Sequence, residues 1–396
     1  MASLNLVIGL KKSGQEINVL TTVQDKKEVG QTDFQGVKII RIYSRYHERW
    51  RGYLSLCNPQ TVGRVKQIIK DIQPDVVHAH NIHRHLSYYS LKIAKKYSQA
   101  VFLTAHDVMS FHYGKLDEFI NCDNPFIPEK FDYKISPWRQ IKRFKKRYNP
   151  LRNIIIRHYL RSADKIFAVS GALKDALEQN GFKNVAVIHN GINIDEWQID
   201  NSRVKEFKKE YNLLGQKIVF FAGRLNRFKG GEKIIEAMEL VAKKMPESIL
   251  LIAAKKDDYL EKMTALAKEK GVKTIITGWL EKDELKAAYH VADLVATPSL
   301  CLDTFNLVNL EAMACHKPIV GTCFGGVSEV IKNGTTGHIV NPLNINDFAA
   351  KILDLLIDEK KAQEFGESGF KRAKENFSLE KQVKETLSWY GRYAKL

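Results

Sequence analysis

Short apolar runs alternate with longer stretches of helical period along nearly the whole chain. In the first half, the apolar runs predict strands at Glu16–Thr21, Val37–Ile42, Asp75–His80, Ala100–Ala105, Lys165–Val169 and Val185–Ile188. Helices are predicted near Gln60–Ile72, Leu86–Tyr97, Leu151–Ser162 and Ala172–Asn180. This order of elements is typical of a doubly wound α/β fold that is built on a parallel sheet.

The pattern pauses near Asn190-Gly191, a pair that favours a turn with positive φ. Ile194–Arg203 is interpreted as a linker, after which a second α/β series begins. The elements predicted there are strands Lys217–Ala222, Ser248–Ala253, Lys273–Thr277, Asp293–Thr297 and Pro318–Thr322, and a last helix at about Leu379–Tyr393. We therefore expect two Rossmann-like domains, residues 1–193 and 194–375, with a ligand cleft between their strand ends.

The net charge of +17 is concentrated in one segment, because Lys134–Arg161 holds ten lysines or arginines and no acidic residue. The chain has no run of eighteen apolar residues, and its N-terminus does not resemble a signal peptide. Its five cysteines form no Cys-x-x-Cys pair. These features predict neither a membrane-spanning helix nor a disulfide or zinc framework, and they favour a cytoplasmic protein.

The stretch Phe221–Gly230, FAGRLNRFKG, follows one predicted strand and opens a helix. Gly223 allows a sharp turn, and Arg224 and Lys229 stand near the free N–H groups of a helix that starts at Gly230-Gly231. Two cations beside a helix N-terminus suit a diphosphate group. On spacing alone, a basic surface turn remains the alternative.

The stretch Pro298–Val320, PSLCLDTFNLVNLEAMACHKPIV, is predicted to hold a helix from about Thr304 to Cys315. Asp303 and Glu311 would then be separated by roughly 12 Å of helical rise. This separation matches the two ends of a sugar nucleotide, and each carboxylate can accept two hydroxyl hydrogen bonds. An N-cap aspartate with an unrelated surface glutamate is the alternative.

Together, these stretches resemble the retaining glycosyltransferases of family 4, which have the GT-B fold. The first stretch is similar to the family's Gly-Arg-Leu…Lys-Gly signature. The second is similar to its Glu-x7-Glu signature, and Ala-Met-Ala…Lys-Pro and Gly325–Val330 follow in the family's order. The resemblance covers nearly the whole chain. It implies two Rossmann-like domains that face a cleft, with a C-terminal helix, residues 376–396, that returns to the first domain.

The resemblance assigns roles to individual residues of the second domain. Arg224 and Lys229, next to the turn at Gly223, would neutralise the diphosphate of the donor. Glu311 would bind the ribose hydroxyls, and Asp303 would hold hydroxyls of the transferred sugar.

Further roles concern backbone amides and the first domain. The amides of Asn306 and Leu307 would contact phosphate. His106, in Thr104-Ala105-His106-Asp107, is similar to the family's strand-end histidine that faces the donor sugar. Ser170 and Asn190-Gly191 also match family positions and are interpreted as a helix cap and a turn.

The chain departs from the family pattern at several positions. Asp303 replaces a glutamate, while Asn306 and His316 replace glycines. Met1–Lys12 already corresponds to the family's first helix, so we expect the first strand and its glycine-rich loop to be missing. A missing central strand would leave edge groups unpaired.

The expected reaction uses a UDP-sugar or GDP-sugar donor and retains the anomeric configuration. No Asp-x-Asp motif occurs, so we expect no metal ion or other cofactor. Charge on the leaving diphosphate would be stabilised by Arg224, Lys229 and helix dipoles. The acceptor hydroxyl would lose its proton to the departing phosphate.

The acceptor is expected on the first domain, as a glycan or lipid-linked molecule of cell-envelope synthesis. Residues 108–150 are interpreted as a basic insertion in this domain. The overlapping segment 134–161 also contains Trp138, Phe144 and Tyr148, and it predicts a basic amphipathic surface helix that binds anionic lipid at the inner membrane face. A solvated basic insertion is the alternative.

Other functions remain open at the level of sequence. The pI of 9.4 and the basic aromatic segment suit nucleic acid, but no nucleic-acid-binding motif is present, and we expect no such partner. A sugar-nucleotide epimerase, a phosphorylase of the same fold or a truncated inactive homologue are closer alternatives.

Overall fold

The computed structural model describes residues 2–223 and 225–394 of the chain. The strands within this part are β1 Asn18–Val23, β2 Gly30–Phe34, β3 Val37–Tyr43, β4 Val76–His80, β5 Ala100–Ala105, β6 Lys165–Ala168, β7 Val185–Val187, β8 Lys217–Ala222, β9 Ser248–Ala253, β10 Thr274–Ile276, β11 Leu294–Thr297, β12 Ile319–Thr322 and β13 Gly337–Val340.

α-Helices separate most of the strands along the chain. They are α1 Ala2–Lys12, α2 Arg51–Leu54, α3 Pro59–Ile72, α4 Tyr89–Tyr97, α5 Pro137–Phe144, α6 Arg152–Leu160, α7 Gly171–Gln179, α8 Asn201–Glu210, α9 Gly231–Lys244, α10 Asp258–Glu269, α11 Lys282–Val291, α12 Leu307–Ala314, α13 Val327–Val330, α14 Ile345–Ile357, α15 Glu359–Asn376 and α16 Leu379–Tyr393.

The chain forms two compact units. Unit 1 contains the chain up to Leu116, the segment Asp132–Gly191 and the segment that starts at Leu379. Unit 2 contains Asp117–Phe131 and Ile192–Ser378.

Unit 2 is built on a six-stranded parallel sheet in the order β10-β9-β8-β11-β12-β13. All residues of β9 and β11 are buried, and helices α9 and α14 pack together in the core. Successive strands are added on one side of β8 and then on the other side, beginning with β11. The carboxyl ends of β8 and β11 therefore flank the switch point where sheets of this kind bind ligands.

Unit 1 contains two sheets where a single one was expected. Strands β4 to β7 form a parallel sheet in chain order. Strands β1, β3 and β2 form the other, in which β1 is parallel and β2 antiparallel to β3. The side chains of β1 are all half-buried, whereas those of β5 are all buried. In the structure, β1 is therefore an edge strand and β5 a central one.

The C-terminal helix belongs to unit 1, in agreement with the expected fold. Leu379, Val383 and Tyr390 of α16 share a core with Leu6 and Leu10 of α1. Phe102 of β5 and Phe167 of β6 line the same core. Helices α16 and α1 therefore pack together in one apolar core.

Several local expectations were wrong. Neither Asn190 nor Gly191 has positive φ, and the Gly191 amide donates a hydrogen bond of 2.8 Å to Gln382 Oε1 instead. Strands β2 and β13 were not predicted. All five residues of β2 are exposed, so it carries no apolar signal, although positive φ at Gln35 and Gly36 makes its hairpin turn.

Candidate functional site

The loop after β8 carries the first cluster of predicted site residues. Gly223 has φ of 113°, so the chain turns there in a way that favours glycine. Arg224 lies outside the described residues. The amide of Lys229 donates a 3.1 Å hydrogen bond to Asn226 Oδ1, which closes a short 3-10 turn before α9. The turn therefore sets the position of the Lys229 backbone.

Gly230 brings this loop against the loop that follows β11. Its φ is 74°, and an added Cβ would lie only 2.0 Å from the carbonyl oxygen of Pro298. No other residue fits this approach without backbone movement. The amide of Leu300 also donates a 2.8 Å hydrogen bond to the carbonyl oxygen of Phe228. The two loops at the switch point are thus held together by backbone contacts.

Lys229 and Asp303 meet between these loops. Lys229 Nζ lies 2.8 Å from Asp303 Oδ2, and Ser299 Oγ donates a 2.7 Å hydrogen bond to the same oxygen. The loop after β12 joins them, since the amide of Gly326 donates to the carbonyl oxygen of Asp303 at 2.8 Å. Loops from three neighbouring strands therefore converge on Asp303, which is only 8% exposed.

The ion pair controls the charge of Lys229. Burial alone would lower the pKa of its ammonium group, but the adjacent Asp303 carboxylate raises the pKa above the ordinary lysine value. Lys229 is therefore positively charged at neutral pH. About a third of its side chain remains exposed, so a ligand can also reach it.

Helix α12 starts later than predicted. It begins at Leu307 and not near Thr304, so Asp303 precedes the helix and the inferred 12 Å of helical rise to Glu311 is wrong. Asn306 occupies the N-cap position with φ of −80°. Any residue adopts this φ, so the replacement of the family glycine by Asn306 introduces no backbone strain. The N-terminal N–H groups of α12 give this end of the helix a partial positive charge.

Glu311 is held by a residue that the sequence analysis missed. Tyr289 of α11 donates a 2.6 Å hydrogen bond to Glu311 Oε2. Burial and the neighbouring carboxylate raise the pKa of Tyr289 well above its usual value, so its hydroxyl stays protonated. Burial raises the pKa of Glu311, whereas the bond from Tyr289 lowers it. Tyr289 carried no signal because it lies in a helix interior, 22 positions before Glu311.

His106 lies in unit 1, directly after β5. Its Nε2 is 2.9 Å from Nδ1 of His80, at the end of β4. His78, two residues earlier, is hydrogen-bonded to the hydroxyls of Tyr390 and Thr104 at 2.6 and 2.7 Å. Only His106 of this group was predicted from the sequence, although the alternating pattern His78-x-His80 at a strand end could have indicated the other two histidines.

These histidines are neutral at pH 7. Burial lowers the pKa of His78 to about 3 and that of His106 to about 4. It also lowers the pKa of His80 well below the usual value. A neutral imidazole offers one donor and one acceptor nitrogen, so the group can form a hydrogen-bonded chain without net charge.

Ser170 caps α7, since its Oγ accepts a 3.1 Å hydrogen bond from the amide of Leu173. This agrees with its interpretation as a helix cap. Ser170 is completely buried and structural in this position.

Segment 134–161 is not one amphipathic surface helix. It forms α5 and α6, which are separated by a short 3-10 turn at Lys145–Arg147. Tyr148 and Arg152 are buried, at 2% and 1% exposed, whereas Trp138 is 78% exposed. Leu151 and Ile154 are also exposed. The segment therefore combines a buried anchor with an exposed basic and apolar surface.

No helix in residues 2–223 and 225–394 has the length and apolar character that crossing a membrane requires.

Both halves of the chain match models of known protein families. The model described as "Glycosyltransferase Family 4" matches residues 3–196, and the model described as "Glycosyl transferases group 1" matches residues 203–372. An uncharacterized glycosyltransferase of Methanocaldococcus jannaschii is 32% identical over 236 residues, which are 57% of this chain and 59% of that protein. The chain spans about half the length of the curated relatives that it matches.

Two solved structures have the same fold. Sucrose-phosphate synthase from Thermosynechococcus elongatus superposes with a TM-score of 0.76 and 19% identity, over 98% of this chain and 91% of that one. Anabaena HepE, solved in complex with UDP and glucose, gives a TM-score of 0.67 and 17% identity, over 94% and 100%. At this identity the likeness shows the GT-B fold alone. With both halves matched in order, the chain belongs to the glycosyltransferases of family 4, of the group 1 type.

Proposed function

We propose that this chain transfers a sugar from a UDP-sugar or GDP-sugar to an acceptor hydroxyl, with retention of the anomeric configuration. The observation that carries the proposal is the meeting of Lys229 and Asp303 at the switch point of the unit 2 sheet. A cation, a buried carboxylate and the N-terminus of α12 together provide groups for a diphosphate and for a sugar. The complex of HepE with UDP and glucose supports a nucleotide-sugar donor.

The diphosphate would bind to Lys229, to Arg224 and to the amides of Asn306 and Leu307. Negative charge grows on the leaving diphosphate as the glycosidic bond breaks. Fixed positive groups lower the energy of that state without any reorganisation at the moment of reaction. We expect no metal ion in this role, so transfer should persist in excess EDTA; loss of activity that Mg²⁺ or Mn²⁺ restores would contradict this.

Asp303 would hold hydroxyls of the transferred sugar. Ser299 and Lys229 both donate to its Oδ2, which holds this oxygen in place. Without donor, the charge of Lys229 is balanced by Asp303; with donor bound, the same ammonium group would face the phosphates as well. Asp303 therefore keeps Lys229 charged and positioned before the donor arrives.

Glu311 would bind the ribose hydroxyls of the donor. Its Oε2 accepts from Tyr289, and this bond holds the carboxylate in one orientation. In the first domain, the resemblance assigns His106 to the donor sugar. Because burial keeps its ring neutral, His106 would act through hydrogen bonding and not as a charged acid.

The acceptor would be a glycan or a lipid-linked molecule of envelope synthesis, handled at an anionic inner membrane surface. The exposed residues Trp138, Leu151 and Ile154 support this, because apolar side chains among lysines and arginines suit a lipid interface. Co-sedimentation with vesicles tests it. Wild type should bind phosphatidylglycerol vesicles more strongly than phosphatidylcholine vesicles, and the Trp138→Ala variant should bind the former less; equal binding to both kinds would refute the membrane role.

The donor proposal is tested by thermal-shift screening with a panel of nucleotide sugars, followed by calorimetry. We expect Glu311→Ala and Lys229→Ala to weaken donor binding strongly, whereas Glu364→Ala, an exposed glutamate of α15, should not. Unchanged affinity in both site variants would refute the assignment. Release of free nucleotide only in the presence of an acceptor separates a transferase from an epimerase.

A further inference from the structure

Unit 1 contains a cluster of buried donor groups around Tyr113, which we call the Tyr113 cluster: Tyr113, Arg51, Gln140, Tyr148 and Arg152. The guanidinium groups of Arg51 and Arg152 lie 4.5 and 5.6 Å from the centre of the Tyr113 ring. The Tyr148 ring lies 6.0 Å from it, and Gln140 Oε1 accepts a 3.1 Å hydrogen bond from the Tyr113 amide. Five side chains from separate parts of unit 1 therefore share one small region.

The cluster has donors without acceptors. Among the described residues, twelve buried side-chain atoms have no hydrogen-bond partner, and four of these belong to the cluster. They are Arg51 Nε, Gln140 Nε2, the Tyr148 hydroxyl and Arg152 Nε. All four can donate a hydrogen bond, and a buried donor without a partner is strongly destabilising. Such a concentration of donors indicates that an acceptor belongs there.

The cluster also carries positive charge that no buried carboxylate balances. Arg152 is 1% exposed, and within the described residues it forms no ion pair with an acidic side chain. Its hydrogen bonds with Asn153 Oδ1, the carbonyl oxygen of Met109 and the Tyr88 hydroxyl all involve neutral groups. Burial lowers the pKa of Arg152, and Arg51 acts in the same direction. Buried charges are normally paired, so an anion would remove this penalty.

Arg51 makes the cluster accessible from solvent. Its side chain is 15% exposed, and its only ion-pair partner in the described part of the chain is the exposed Glu48, at 3.5 Å. The side chain of Arg51 therefore reaches the surface, whereas that of Arg152 is buried. Guanidinium groups match the oxygen geometry of phosphate, and the Tyr148 hydroxyl and Gln140 amide supply further donors.

We propose that the Tyr113 cluster of unit 1 is a binding site for the phosphate monoester group of a ligand. Three free oxygens of such a group match the several unpaired donors better than the two oxygens of a carboxylate do. In the proposed sugar transfer, this cluster would bind a phosphate group of the acceptor. That role rests on the proposed function, whereas phosphate binding itself does not.

Isothermal titration of the full-length chain with inorganic phosphate, at constant ionic strength against chloride, tests the proposal. We expect saturable binding to wild type that is at least tenfold weaker in Arg51→Gln and clearly weaker in Tyr148→Phe. Arg157→Gln, an exposed arginine of the same α6 helix, should bind as wild type does. Absence of saturable binding, or equal affinity in wild type, Arg51→Gln and Tyr148→Phe, would overturn the site.

Arg51→Gln and Tyr148→Phe are used because substitution of the deeply buried Arg152 is liable to prevent folding. Glycerol 3-phosphate and phosphatidic acid vesicles, each tested with wild type and Arg51→Gln, show whether a soluble phosphate monoester or a lipid head group with a phosphate monoester occupies the site. UDP titration of the same variants separates the two proposals. Equal UDP affinity in wild type and Arg51→Gln leaves the donor site intact, whereas absence of UDP binding refutes the donor proposal without affecting the phosphate result.

Discussion

The two units treat buried charge in opposite ways. In unit 2, Lys229 is paired with Asp303, and Glu311 is paired with the Tyr289 hydroxyl. In unit 1, the buried histidines are neutral, and Arg152 has no acidic partner in the described structure. Under the two proposals, unit 2 would be organised before its ligand arrives, whereas the cationic groups of unit 1 would be balanced only by their ligand.

The largest effect on activity is expected when the Lys229–Asp303 ion pair of unit 2 is broken. Lys229→Ala removes the ammonium group that pairs with the buried Asp303 carboxylate, and with it one positive group of the proposed diphosphate site. We expect kcat/KM for transfer to fall at least ~100-fold, about 2.7 kcal/mol of transition-state stabilisation. The matched control is Lys233→Ala, which removes a lysine of α9 that pairs with Glu236. A fall of the same size in both variants would show that Lys229 has no special role.

The histidines of unit 1 should make its stability depend on pH. The pKa of His106 is about 4 in the folded chain, below the ordinary value of 6.5, so the unfolded chain binds the proton more tightly. The stabilisation is therefore complete above pH 6.5 and is lost as the pH falls from 6.5 towards 4, by up to about 3 kcal/mol.

Hydrogen exchange of the β5 amides between pH 7.5 and 4.5, corrected for intrinsic rates, reports this loss in unit 1. The His106→Asn variant should show a weaker decline, because one titrating group is removed. An identical decline in the variant and in wild type would mean that His106 does not carry the effect.

A smaller effect is expected from the bond that orients Glu311. Tyr289→Phe removes one hydroxyl and keeps the ring, so the loss should be about 1 kcal/mol, or roughly fivefold in donor affinity by calorimetry. Tyr211→Phe, in the same unit, provides the control. If Tyr289→Phe binds the donor as tightly as wild type does, then Glu311 is oriented by other groups.

The smallest effect is expected at the exposed surface of α5. Trp138 is 78% exposed, so Trp138→Ala should change the free energy of unfolding by less than about 0.5 kcal/mol in urea titration. Tyr148→Ala, at a 2% exposed position nearby in sequence, should destabilise by several kcal/mol. Similar losses in the two variants would show that Trp138 packs against the protein.

Much of unit 2 could be predicted from sequence because its signals are local. The apolar runs gave β8 and β9 with their observed ends, and the motif stretches marked the loops that meet at Asp303. The start of α12 could not be placed, because Thr304 to Asn306 are compatible with a helix and the tertiary contacts of the preceding Asp303 with Ser299 and Gly326 are not visible in the local sequence.

Unit 1 was harder to predict because its contacts join distant parts of the chain. The His80–His106 pair spans two strands, and the Tyr113 cluster assembles residues from Arg51 to Arg152. The basic segment 134–161 was interpreted as an amphipathic surface, but Arg152 and Tyr148 within it are buried. Charge patterns in sequence do not show which of several arginines will be enclosed.

The sequence by itself determined the α/β alternation, the loops that contain Lys229 and Asp303, and the last helix at Leu379–Tyr393. These depend on the period of apolar residues and on the chemistry of neighbouring positions, which a linear pattern contains. Only the tertiary structure decided that unit 1 has two sheets, that Tyr289 orients Glu311 and that Arg152 is buried. Each of these depends on packing between residues far apart in the chain, and local propensity does not encode that packing.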